Sequence, residues 1–198
     1  MRNSEELNRI LHDNLGYLHT AEAISAGVSG TSLKAFVKEN QLERVAHGIY
    51  LAQDAWRDFH YETQSRYPRA IWSHETALYF HNLTDREPLQ HTLTMATSMG
   101  VTRLSNEGIK VYRIKDELFE IGLSETRSSF GHVLRCYDAE RTICDILRYK
   151  DKIDIQDLQV ALNTYFHSSQ KNLSILIKYA SIFSVENLVR QYAEVLLT

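Results

Sequence analysis

The stretch 20–51, TAEAISAGVSGTSLKAFVKENQLERVAHGIYL, constrains the fold more than any other part of the chain. It reads as a short helix, a glycine turn, a second helix and two β-rich runs. Thr20 is a good N-cap by type: its hydroxyl can accept from an orphan N–H of the first turn, and Glu22 follows where the helix dipole favours an acid. Gly27 ends this Ala-rich helix, because glycine takes the left-handed position after a helix without steric cost. Ser29, Gly30 and Thr31 open the second helix. There Leu33, Phe36 and Val37 fall at i, i+3 and i+4 and form one apolar stripe. Ser32, Lys34, Ala35 and Lys38 lie off it. Small, hydroxyl-bearing and basic residues facing out suit a helix that lies in a major groove. Asn40 is placed to end this helix in the left-handed region. Residues 42–45 and 49–51 then read as strands around a turn at Ala46, His47 and Gly48. Arg44 and His47 sit on or near this wing, within reach of phosphates.

The same pattern also occurs as a plain packing unit, so charge matters. A nucleic-acid binder usually shows a basic patch. Up to residue 55, Arg2, Arg9, Lys34, Lys38 and Arg44 face a larger set of acids: Glu5, Glu6, Asp13, Glu22, Glu39, Glu43 and Asp54. Any basic patch must therefore be local, at Lys34, Lys38 and Arg44. The whole chain of 198 residues has a net charge of −3, which argues against a general nucleic-acid or membrane coat. No apolar run reaches the length of a membrane span. The opening MRNSEELNRI has acids where a signal peptide needs an apolar core, so the expected location is cytoplasmic. Cys136 and Cys144 are too few for a disulfide framework or a zinc site of their own.

In chain order, residues 4–13 form a helix capped by Ser4, with Leu7, Ile10 and Leu11 inward. With the stretch above this makes a winged helix-turn-helix domain of residues 1–54. Residues 55–65 read as a linking helix broken by Pro68. A short strand at 70–72 precedes a helix capped by Ser73. From Gln90 to Tyr137 the pattern is mostly β, with strands at 92–95, 109–114, 118–123 and 133–137. Asp138 caps a helix, DAERTICDILRYK, and three helices follow from Asp154, the last capped by Ser184. The fold class is α+β: an N-terminal winged helix-turn-helix, then residues 55–198 as a mixed α+β domain with a helical C-terminal tail. Val111, Leu134, Ile143, Ile146, Leu162 and Leu176 are its expected core. Strand alternation should bring some of Lys110, Arg113, Arg127 and Arg135 to a solvent face.

Nothing in the sequence supports an active site, so no catalytic residue, cofactor or metal is expected. His74 and His81 stand two turns apart on one predicted helix, but the HExxH signature fails after Glu75. Asp138 and Asp145 could pair around a metal. The simpler reading makes Asp138 an N-cap and Arg141–Asp145 an i, i+4 ion pair. GVSGTS lacks the Lys-Ser/Thr pair of a phosphate loop, and there is no GxSxG or CxxC.

Three stretches, in order, carry a resemblance to a known family. LERVAHGIYL (42–51) looks like an Arg-Val-x-x-Gly-Val/Ile-Tyr wing. SHETALYFHNLTDREP (73–88) is similar to a Ser-His-x-Ser/Thr-Ala-Leu segment followed by a Leu-Thr-Asp turn. DAERTICDIL (138–147) looks like an Asp-x-x-Arg-Thr-x-x-Asp helix. Together they resemble the AbiEi family, the antitoxins of type IV abortive-infection toxin–antitoxin systems. The resemblance implies two jobs. The winged helix would bind inverted repeats of double-stranded DNA in its own promoter and repress the operon. The second domain would neutralise a nucleotidyltransferase-like toxin encoded next door, without a stable complex. The DNA-binding residues implied are Thr31, Ser32, Lys34, Lys38, Arg44 and His47. The basic residues Lys110, Arg113, Arg127 and Arg135 are candidates for an antitoxin face. With no heptad seam or apolar dimer face in the sequence, a monomer that pairs cooperatively on DNA is expected. The competing functions are a ligand-sensing winged-helix repressor without a toxin partner, and an enzyme using Asp138 and Asp145 as metal ligands.

Overall fold

The computed structural model of the chain describes residues 2–101, 104 and 106–197. The chain divides into two compact units: residues up to 68 together with 127–133, and residues 69–126 together with 134–198. The first unit thus runs past Asp54 and takes in a segment from much later in the chain.

The first unit begins with α1 (Arg2–Asp13) and β1 (Tyr17–His19), then α2 (Thr20–Ser25) and α3 (Gly30–Glu39). The wing strands β2 (Glu43–Ala46) and β3 (Ile49–Leu51) and the helix α4 (Phe59–Arg66) follow. The strands form one antiparallel sheet in the order β1-β3-β2, so β1 closes the wing against the helices. Leu7 and Ile10 of α1, Leu18, Ala23, Val28, Leu33, Phe36 and Leu42 make one buried core. Burying Leu33 or Phe36 contributes roughly 2 kcal/mol each before cavity costs. Gly16 is held at φ +96°, and a Cβ there would meet the Cβ of Ala55 at 2.3 Å, so both backbone and space require glycine.

Several local expectations change. Helix α1 starts before Ser4, which is therefore no cap. Thr20 is the first residue of α2 and His19 its N-cap; the Thr20 N–H donates to the Gly48 carbonyl at 2.8 Å, a sheet-side demand that outranks capping propensity. Gly27 ends α2 as expected, at φ +84°. Its N–H donates to Ile24 O and the Val28 N–H to Ala23 O, the paired bonds of a Schellman motif. At the end of α3 the left-handed residue is Gln41 (φ +51°), not Asn40, whose side chain instead donates to the Phe36 carbonyl.

The second unit holds a five-stranded mixed sheet in the order β6-β5-β4-β8-β7, from β4 (Ile71–Trp72), β5 (Thr92–Ala96), β6 (Lys110–Ile114), β7 (Leu123–Arg127) and β8 (Val133–Tyr137). The helices are α5 (His74–Phe80), α6 (Asp116–Phe119), α7 (Ala139–Arg148), α8 (Ile155–His167), α9 (Leu173–Ile182) and α10 (Glu186–Leu196). Of the strand expected at 118–123, only Leu123 lies in a strand. Asp116 and Glu117 open the short helix α6, Gly122 turns the chain at φ +78°, and β7 begins only at Leu123. Ser184 takes φ +60° and does not cap α10; Val185 occupies that position. Of the expected core, Leu134, Ile143, Ile146, Leu162 and Leu176 are buried, while Val111 is only half-buried. On β6 the covered face belongs to Tyr112 and Ile114, the opposite parity from the one expected.

Candidate nucleic-acid interface

Helix α3 is set by its cap and its buried arc. The Ser29 hydroxyl accepts from the Ser32 N–H at 3.1 Å, satisfying one orphan donor at the helix start. Leu33 and Phe36 then pin one side of the helix into the core. Thr31, Lys34, Ala35 and Lys38 are all exposed. Their spacing is i, i+3, i+4 and i+7, so they form a single stripe on the side opposite Leu33 and Phe36. Neither lysine has a hydrogen-bond or ion-pair partner among the described residues.

The acids that outnumber the bases in this part of the chain lie elsewhere, and several are occupied. Arg9 of α1 holds Glu6 at 2.5 Å and Asp13 at 3.1 Å. Arg57 holds Glu62 at 2.8 Å and stands 3.6 Å from Glu43. Glu22 accepts from the Asn14 amide at 2.7 Å. Within α3 itself the acid is the exposed Glu39, at the end of the helix. Net charge over the segment therefore understates the positive character of α3.

Ser32 stands apart from the other expected contacts. It is half-buried, and its hydroxyl shares a bond with Ser29 Oγ at 2.9 Å and accepts from Asn3 Nδ2 at 3.1 Å. It ties the start of α3 to α1. In the wing, Arg44 and His47 are brought together: Arg44 Nη2 lies 3.1 Å from His47 Nδ1, and Arg44 Nε donates to the Ala46 carbonyl at 3.3 Å. Both side chains are exposed beside the Gly48 turn. The geometry offers two basic elements, a helix face and a strand turn, on one small unit.

A buried network with no local sequence signal fixes α4 within that unit. Asp58 is fully buried. Its Oδ2 accepts from Ser128 Oγ at 2.5 Å and from His132 Nδ1–H at 2.7 Å, and its Oδ1 accepts from the Tyr61 N–H, capping α4. Burial pushes the Asp58 carboxyl up, but the bonds from His132, Ser128 and Tyr61 together outweigh it and hold the group below its usual range. Tyr17 Oη donates to Glu62 at 2.9 Å and accepts from the Asp58 N–H at 2.8 Å. The His132 ring stacks on Tyr61, centroids 4.2 Å apart. Ser128 bonds to the aspartate rather than to the imidazole, so these three residues do not form a hydrolase triad.

Residues 5–53 match the family model described as "Transcriptional regulator, AbiEi antitoxin". That stretch of the winged-helix unit is similar to AbiEi-family domains. The match ends at Gln53 and leaves α4 and the 127–133 segment outside it, although both belong to the same compact unit as the matched stretch. No curated protein matches the chain. Among solved structures, the chain is similar to the RV2827C protein from Mycobacterium tuberculosis, with a TM-score of 0.59 at 13% identity over 90% of this chain and 70% of that one. At that identity the likeness is one of fold. Among the described residues, no helix is long and apolar enough to cross a membrane.

The four basic candidates lie on three different strands. Lys110 shares its parity on β6 with the buried Tyr112 and Ile114; it is half-buried and pairs with Glu75 at 3.1 Å. Arg113 points to the other side of that strand, is exposed, and donates to the Thr97 carbonyl at 2.5 Å. Arg135 lies on β8, with β5 and β4 between it and β6. Arg127 ends β7, falls with the first unit, and donates to the Gly131 carbonyl at 2.6 Å.

The charge cluster on α7 is structural. Asp138 Oδ1 accepts from the Arg141 N–H at 2.7 Å, as an N-cap. Arg141 is fully buried, with Nε 3.0 Å from both oxygens of Asp145 and Nη1 donating to the Leu118 and Ile121 carbonyls. Its guanidinium sits 4.1 Å from the Tyr137 ring centroid and 3.9 Å from that of Phe183. Asp145 is committed to holding this arginine. His74 and His81 are also separate: His74 is buried against Tyr112, and His81 Nε2 donates to the Tyr137 carbonyl at 2.6 Å.

Proposed function

We propose that this protein represses its own operon by binding an inverted repeat of double-stranded DNA, with α3 in the major groove and the wing turn on the phosphate backbone. The observation that carries this reading is the outward stripe of Thr31, Lys34, Ala35 and Lys38, two of them unpaired lysines, on a domain of a transcriptional-regulator family. One winged helix presents one recognition helix and covers one half-site, so two copies occupy each operator. The free protein is a monomer that pairs on DNA. Arg44 and His47 act as backbone contacts, and the role of Ser32 is to position α3.

The second unit neutralises a nucleotidyltransferase-like toxin encoded beside this gene, in the cytoplasm and without a stable complex. The family description, which couples a regulator with an antitoxin, supports this half of the reading. Both jobs are binding or regulatory in kind and use no catalytic residue of this chain. The test is genetic. Lys34→Ala/Lys38→Ala should derepress a reporter driven by the chain's own promoter, yet still protect cells that express the neighbouring gene. Repression that survives the double substitution would remove α3 from the reading. A neighbouring gene that is harmless without this protein would remove the antitoxin.

A further inference from the structure

The exposed positions of α3 are Gly30, Thr31, Lys34, Ala35, Lys38 and Glu39. None is an asparagine, glutamine or arginine. Adenine is read in the major groove mainly by a bidentate amide side chain. The amides next to this helix are engaged: Asn40 Nδ2 donates to the Phe36 carbonyl at 2.9 Å and Asn3 Nδ2 to Ser32 Oγ at 3.1 Å. The Ser32 hydroxyl is held by Ser29 and Asn3. What the centre of the helix offers a base pair is therefore two methyl groups, those of Thr31 and Ala35, one turn apart on one face. Lysines at 34 and 38 stand beside them. Gly30 adds to this. It has no left-handed backbone, and a Cβ built on it meets nothing within 4 Å, so neither conformation nor packing in the protein requires glycine there.

The geometry points to readout of A·T base pairs through the thymine C5-methyl group, packed against the Thr31 and Ala35 methyls, rather than through the edge of adenine. Apolar contact by alanine or the threonine methyl is the way a side chain without a bidentate donor recognises thymine. Along the helix, one turn is about 5.4 Å. The two methyls thus address thymines one or two base-pair steps apart. The lysine ammoniums supply phosphate or guanine contacts on either side. Gly30 keeps the rim of the groove clear. The inference rests on α3 being the DNA-reading helix.

The experiment uses the full chain and a randomised duplex DNA pool. Bound duplexes are selected and sequenced. The preferred sequence is then rebuilt with each thymine replaced singly by deoxyuridine, which removes only the C5-methyl. One or two positions per half-site should lose about 4-fold in affinity, the equivalent of ~0.8 kcal/mol for one buried methyl. Thr31→Ser, which keeps the hydroxyl and removes the methyl, should abolish the thymine–uracil difference at one of those positions. Ala35→Gly, checked by thermal melt, should abolish it at the other. Thr31 is exposed, so its variant stays informative even if glycine weakens the helix at 35. A preferred sequence whose affinity ignores every uracil replacement would overturn the inference while leaving DNA recognition standing. So would replacements that cost the same in wild type and variants. A pool that yields no preferred sequence would overturn the DNA-reading function and this inference together.

Discussion

His132 Nδ1 lies 2.7 Å from Asp58 Oδ2, although the two residues are 74 apart in sequence. The pair, with Ser128, fastens the 127–133 segment to the end of the loop that opens α4. The winged-helix unit is therefore larger than the stretch that looks like a winged helix. A boundary drawn at Asp54 cuts Tyr17 and Leu51 from residues that share their unit.

His132→Ala leaves Asp58 buried with one side-chain donor fewer, and truncating one partner of a buried pair typically costs about 3 kcal/mol or more. The denaturant midpoint of the full chain should fall accordingly. A fragment ending at Pro68, which lacks both Ser128 and His132, should melt below the full chain's first unit. An unchanged midpoint for His132→Ala would show that the segment is not part of the unit's stability.

Two buried groups, His74 and Asp58, contribute to the acid side of the stability profile. His74 is held well below its ordinary value by burial, and then by Arg141, Lys110 and Arg148. The folded chain keeps it neutral while the unfolded chain takes up a proton below about pH 6.5, so stability should fall as pH drops through that point. Asp58 is depressed in the fold, so its contribution is present above about pH 3.9 and disappears as pH falls through its lower folded value. Melting temperatures of wild type and His74→Gln from pH 7.5 to pH 5 separate the two. The variant should show a shallower upper slope, the remainder coming from His19 and His91, which burial also lowers. Parallel curves would contradict the assignment.

Arg141 and Asp145 form a buried pair, with Nε 3.0 Å from both carboxylate oxygens. Asp145→Ala should destabilise the second unit by about 3–5 kcal/mol, because it strands a buried guanidinium. Arg141→Lys should also destabilise, since an ammonium cannot meet a carboxylate and two carbonyls in one plane. Denaturant melting reads both. A folded, equally stable Asp145→Ala that loses a metal-dependent activity would instead return Asp145 to the enzyme reading.

Ser32→Ala tests the division of labour on α3. Its hydroxyl bonds join α3 to α1 and to its own cap, so removal should cost about 0.5–1.5 kcal/mol of stability. DNA affinity should change little at temperatures well below the melt. Loss of affinity without loss of stability would put Ser32 back at the interface.

Much of the first unit was legible in the sequence because its signals are local. Gly27, Ser29, and Leu33 with Phe36 each act within a turn or two, and all behave as their types require. Errors came where a sheet or distant contact outranked propensity. Thr20 gave up its capping role to bond Gly48, and β6 turned Lys110 toward the covered side because Tyr112 and Ile114 fill the core. Alternation predicts that a strand has two faces, not which one is covered, so Lys110 and Arg113 lie on opposite sides of β6. The Asp58–Ser128–His132 network carried no sequence signal at all, since its members are ordinary polar residues joined only by folding.

In the proposed function α3 meets DNA through Lys34 and Lys38. The most direct measurement is the affinity of the full chain for its own promoter fragment across a salt series, in wild type and in Lys34→Ala/Lys38→Ala. The double variant should melt like wild type, bind more weakly, and lose about two units from the slope of log affinity against log salt, close to one per phosphate contact removed. Equal affinity and equal slope in a folded double variant would contradict the claim.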